Sequence, residues 1–139
     1  MSRFSYLLSK IIRKEMMNIM SKLLFEQVYN NSNWLIKLYI RVRVYDDHLV
    51  QEHWRRNKDN VFTMETPYKG ISHVTVGGIP DAVAYAISLH KGDDSHFVKN
   101  YLKDPYRIFF YIGFKPKQQI TELAQIIHNA IVAYQQRDK

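Results

Sequence analysis

The chain contains no cysteine. That absence removes disulfides, thiolate metal sites and cysteine nucleophiles together, and it fits a reducing cytoplasm, the location the sequence suggests. No apolar run is long enough to cross a bilayer, so no transmembrane segment is expected. Five glycines and four prolines in 139 residues leave few punctuation points and no linker, which argues for one α+β domain over residues 1 to 139. Acidic residues are also scarce. Glu15 is the only acid among the first 25 residues, and its basic neighbours Lys10, Arg13 and Lys14 interrupt any secretory signal, although an amphipathic presequence is compatible with the pattern.

The shortage of acids leaves a net charge of +7, from twenty Lys and Arg against thirteen Asp and Glu, and a pI near 9.6. Such a balance favours partners bearing negative charge: nucleic acid, anionic lipid, or a phosphorylated small molecule. A hydrophobic content of 46%, with 14% aromatic residues, is enough to bury a core and excludes global disorder.

The clearest pattern runs from Trp34 to Tyr45. Ile36, Leu38, Ile40, Val42 and Val44 alternate with Lys37, Tyr39, Arg41, Arg43 and Tyr45. A period of two predicts a strand with one apolar face and one basic-aromatic face. A second alternation, from Tyr106 to Phe114, puts Ile108, Phe110 and Ile112 on one side and Arg107, Phe109 and Tyr111 on the other. Residues 61–65 and 71–76 read as shorter strands.

Three- and four-residue spacing of Phe4, Leu8, Ile11, Ile12, Met16, Ile19, Leu23 and Leu24 predicts an amphipathic N-terminal helix, drawn here over residues 1 to 29. Ile120, Leu123, Ile127, Ile131 and Tyr134 predict a C-terminal helix over 118 to 137. Asp46-Asp47 resembles a cap for a short helix through Trp54. Pro80-Asp81 resembles the start of a central helix through His90, and a further short helix is expected within 95–102. The expected architecture is α+β: a mixed or mainly antiparallel sheet within 34 to 114, with N-terminal, central and C-terminal helices packed mostly on one face.

Four functional readings follow. In the first, the protein is a non-catalytic binder of nucleic acid or another polyanion. If the strands at 37–45 and 106–114 are neighbours, Lys37, Tyr39, Arg41 and Arg43 lie beside Arg107, Phe109 and Tyr111; the first four are the main contributors, with Arg55, Arg56, Arg107 and Tyr111 at the margin. Arginine and lysine neutralise phosphates there, and tyrosines stack on bases. The aromatic strand signature of RNA-recognition domains is not matched at its glycine and basic positions.

In the second reading the protein is an adaptor or inhibitor of a larger enzyme, engaging a protein partner through Trp34, Trp54, Phe109, Tyr111 and Tyr134. In the third it is a small ribonuclease or phosphodiesterase using His48, His53, His73 or His96 as acid or base. In the fourth, Gly77 and Gly78 form a phosphate-binding turn between a strand and a helix start; it lacks the lysine of a Walker loop and the third glycine of a dinucleotide fingerprint. No cofactor and no metal site is expected from these motifs.

Overall fold

The computed structural model describes residues 21–32, 35, 37–56, 61–79, 84–111 and 117–137. Among them run seven strands and one α-helix: β1 (Leu23–Asn30), β2 (Leu38–Tyr45), β3 (His48–Arg55), β4 (Phe62–Pro67), β5 (His73–Ile79), β6 (Ala84–His90), β7 (Arg107–Tyr111) and α1 (Lys117–Arg137). A 3-10 turn at Tyr101–Lys103 precedes β7. All pairings are antiparallel, giving one sheet in the order β1-β2-β3-β4 and a second in the order β5-β6-β7.

The alternation in β2 has the expected consequence. Ile40, Val42 and Val44 are fully buried, while Tyr39, Arg41, Arg43 and Tyr45 on the other face are half-buried. From the second sheet, Ile87, Leu89, Ile108 and Phe110 meet them in one core. Helix α1 closes it. Ile120, Leu123, Ile127 and Ile131 point inward at helical spacing, and the helix packs against β5 and β2. Asn31 joins the two sheets: its Nδ2 donates to the Phe109 carbonyl at 2.8 Å, and its Oδ1 accepts from the Tyr111 amide at 2.9 Å.

Several expected elements are corrected. The N-terminal helix expected to reach residue 29 gives way to β1 at Leu23, and residues 1–20 lie outside the described residues. Asp46-Asp47 is the tight connection of a β2–β3 hairpin rather than a helix cap. The central helix is strand β6 from Ala84 onward. Both misread strands lie in sheet interiors. β6 carries Ala84 and Ala86 buried on one face, ahead of half-buried Ser88 and His90, and Ile87 and Leu89 buried on the other, so its apolar residues do not alternate cleanly with polar ones. The helix expected within 95–102 contracts to the 3-10 turn, whose N-terminus Asn100 caps by accepting from the Leu102 amide.

Candidate polyanion-binding surface

The register of β2 against β3 decides which charges meet. Arg41 faces Glu52 across the β2–β3 pair, and Arg43 faces Glu26 across the β1–β2 pair. Arg41 donates to Glu52 at 2.9 Å and lies 3.4 Å from Glu26; Arg43 lies 3.6 Å from Glu26 and 3.9 Å from Glu52. Two guanidinium groups and two carboxylates therefore form a closed network with no net charge. A phosphate approaching Arg41 or Arg43 must displace these carboxylates, so the centre of the expected basic face is largely neutralised.

The open end of the same sheet differs. Leu38 pairs with Arg55, so the continuing register brings Lys37 opposite Arg56 on the face of Tyr39 and Trp54, while Arg55 falls on the opposite face. All three are exposed, and none is in an ion pair with another described residue. One step inward, Tyr39 faces Trp54, with ring centroids 5.9 Å apart and planes 17° from parallel. The Arg41 guanidinium reaches over the Trp54 ring at 5.3 Å. Two cations, Lys37 and Arg56, thus border a half-exposed aromatic pair, the combination that holds phosphates and stacks bases. Arg56, expected at the margin, moves to the centre with Lys37, and Trp54 joins them, whereas Arg55 lies across the sheet from them. Only the pairing register could have revealed this.

Arg107 and Tyr111 do not join this surface, because β7 belongs to the other sheet. Residues of the 91–104 connection cover that strand's outer face. Arg107 is held between Phe97 at 4.1 Å and Tyr101 at 4.2 Å and paired with buried Asp104 at 3.5 Å, and Phe109 is buried. Tyr111 sits edge-on to Phe109. The proposed partner patch likewise loses Phe109 to burial and Tyr134 to an edge-on contact with Tyr68; Trp34 is outside the described residues.

Gly77 and Gly78 lie within β5, paired with Ala86 and Tyr85, and no helix begins at Ala84. The anion-binding turn expected there is corrected, since it depended on the dipole and free amides of a helix N-terminus.

The histidines separate by environment. His48 stacks on Tyr45 and lies 2.6 Å from Asp47. Burial raises the Asp47 pKa, but hydrogen bonds from His48 and Ser21 outweigh it and hold that carboxyl below its usual range. His53 is buried against Phe62, and burial alone pushes its pKa down to about 4, so it stays neutral near pH 7. These two serve packing and a hairpin turn. His73, His90 and His96 instead gather around the second sheet's outer face, His73 and His90 stacked with centroids 4.4 Å apart. Among the described residues no three His, Asp or Glu side chains converge as metal ligands do.

A concavity lies between β1 and α1. This cleft of about 180 Å³ is walled by Phe25, Gln27 and Tyr29 from the strand and Glu122, Leu123 and Ile126 from the helix. Burial first, and then the Glu122 charge, pushes the Tyr29 hydroxyl up to about 12. The strand beside the cleft is a sheet edge and exposes Leu23, Leu24 and Val28.

No protein-family model matches the sequence, and no curated protein matches it. Among solved structures the chain is similar to the hSac2 domain from the human phosphoinositide phosphatase Sac2, with a TM-score of 0.53 and 11% identity, over 99% of this chain and 85% of that chain. At that identity the likeness concerns the fold alone. No helix among the described residues is long and apolar enough to cross a membrane.

Proposed function

We propose that the protein is a binding module that holds a phosphate-bearing polymer, in the first place single-stranded nucleic acid, at the open end of its four-stranded sheet. The observation that carries this reading is the juxtaposition of exposed Lys37 and Arg56 with the stacked Tyr39–Trp54 pair. The lysine and the arginine neutralise phosphates, and a base stacks on the aromatic pair. The net charge of +7 adds long-range attraction for the same ligand. The structural neighbour's parent protein acts on phosphoinositides by name, so a headgroup phosphate is the natural control ligand.

Fluorescence anisotropy with short single-stranded RNA and DNA, across a salt series, tests the proposal. Vesicles containing a phosphoinositide form a parallel arm. Substituting Lys37 and Arg56 together by Ala should weaken binding and flatten the log–log salt slope by about 1.4, at roughly 0.7 for each lost single-strand phosphate contact. Replacing Arg41 and Arg43 by Gln should change the slope far less, because their carboxylate partners already neutralise them. Absence of binding at low salt, or equal losses in the two variants, overturns the reading.

A second reading, a protein-interaction module, is favoured by the β1–α1 cleft. An extended apolar segment added to the β1 edge would gain backbone hydrogen bonds along the strand and place a side chain between Phe25 and Ile126.

A further inference from the structure

We propose that Thr75, His90 and Asp94 form a nucleophilic relay for acyl transfer from small neutral esters, an activity beyond the binding role. The relay is assembled by the β5–β6 register. His73 pairs with His90 and Thr75 with Ser88, so Thr75 and His90 are diagonal neighbours on the outer face of the second sheet. Their side chains meet: Thr75 Oγ1 lies 2.7 Å from His90 Nε2. On the other side of the ring, Nδ1 lies 2.9 Å from Asp94 Oδ1.

The chemistry assigns the protons. An ionised carboxylate only accepts, so Nδ1 carries the hydrogen and donates to Asp94. Nε2 then keeps its lone pair and accepts from the Thr75 hydroxyl. This is the hydroxyl–imidazole–carboxylate arrangement that activates an alcohol as a nucleophile, and it is recognised by geometry rather than by sequence order.

The imidazole is clamped as well as bonded. His73 stacks on one face, with planes 3° apart, and Phe97 meets the ring edge-on at 5.3 Å. The His90 side chain is 17% exposed, whereas Thr75 on its edge strand is open to solvent. Asp94 reaches the ring from a backbone at φ 55°, the one positive φ outside glycine among the described residues. Aspartate is one of the few residues besides glycine that adopts this left-handed turn conformation readily. The neighbouring His96 does not compete: its Nε2 donates to the Leu89 carbonyl at 2.9 Å.

Strand β5 also offers a place for substrate. It pairs only with β6 among the described strands, so its other edge presents backbone amides to an oxyanion. No charged Asp, Glu, Lys or Arg occurs between His73 and Ile79, which suits a neutral acyl compound. In the acylation step Thr75 Oγ1 forms a bond to the ester carbonyl carbon as its proton passes to His90 Nε2. The carbon–oxygen bond to the leaving alcohol then breaks, and that alcohol takes the proton from Nε2. Water, deprotonated by the same nitrogen, attacks the threonyl ester, releases the acid and restores the Thr75 hydroxyl. Asp94 is a positioning residue that holds the tautomer and balances the imidazolium.

The test is hydrolysis of p-nitrophenyl acetate by the full chain, with mass spectrometry of the acetylated protein. The expected result is an acetyl group on the peptide containing Thr75 and turnover above buffer. Thr75→Val, which preserves shape at an exposed position, should abolish the adduct and lower the rate on the order of tenfold or more. Thr75→Ser should retain both adduct and turnover. Asp94→Asn should lower the rate comparably, with Asp94→Glu restoring part of it while circular dichroism stays unchanged in all variants. A rate that persists in Thr75→Val, or no acetyl group on Thr75, shows bare imidazole hydrolysis and overturns the proposal.

Discussion

His53 gives the most direct check on the energetics of this fold. Its ring lies parallel to Phe62 at 4.7 Å, with 5% of the residue exposed. Gln51 donates through Nε2 to the Arg107 carbonyl, so its Oε1 is free to accept, and His53 Nε2–H donates to it at 3.1 Å. That fixes the neutral tautomer with the proton on Nε2. Charging the ring in this dry site is unfavourable, and the pKa falls from 6.5 to about 4. The unfolded chain therefore binds a proton that the folded chain refuses between these two values. Stability is fully present above about pH 6.5 and is lost as pH falls toward about 4. The fall corresponds to about 3 kcal/mol, a large part of a small domain's total stability. Urea unfolding at several values from pH 7 to 4, compared with His53→Phe, measures it. The variant keeps an aromatic ring against Phe62 but has nothing to titrate, and contributions from other groups cancel in the comparison. The wild type should lose about 3 kcal/mol more than the variant over that range. Parallel pH curves for the two proteins would refute the assignment.

Asn31→Ala should destabilise by about 2–4 kcal/mol in chemical denaturation, because it strands the buried Phe109 carbonyl and Tyr111 amide at the junction of the sheets. An effect below about 0.5 kcal/mol would mean that water replaces the side chain there. At the β1–α1 cleft, an extended apolar peptide should slow hydrogen exchange of β1 amides, and Ile126→Glu should remove that protection. Protection that survives the substitution would place the peptide elsewhere.

What could be read from the residues was whatever one buried face imposes. Ile40, Val42 and Val44 alternate with half-buried polar neighbours, and Ile120, Leu123, Ile127 and Ile131 repeat at helical spacing, because each element puts one face in the core and one toward water. A mainly antiparallel α+β arrangement with a C-terminal helix followed from those periods. β3 escaped because its core-side face carries the buried polar residues Gln51 and His53, and β6 because buried Ala84 and Ala86 occupy the face opposite Ile87 and Leu89; β1 escaped because Leu23 and Leu24 continue the spacing of the preceding apolar residues. Partnership was decided elsewhere. Glu26, Glu52 and the two arginines they neutralise are separated along the chain and meet only through strand register. The same is true of Lys37 with Arg56, and of Thr75 with His90. Periodicity reflects how one segment meets solvent, whereas charge neutralisation and proton relays depend on distances of a few ångströms between segments, and those exist only once the sheets have paired.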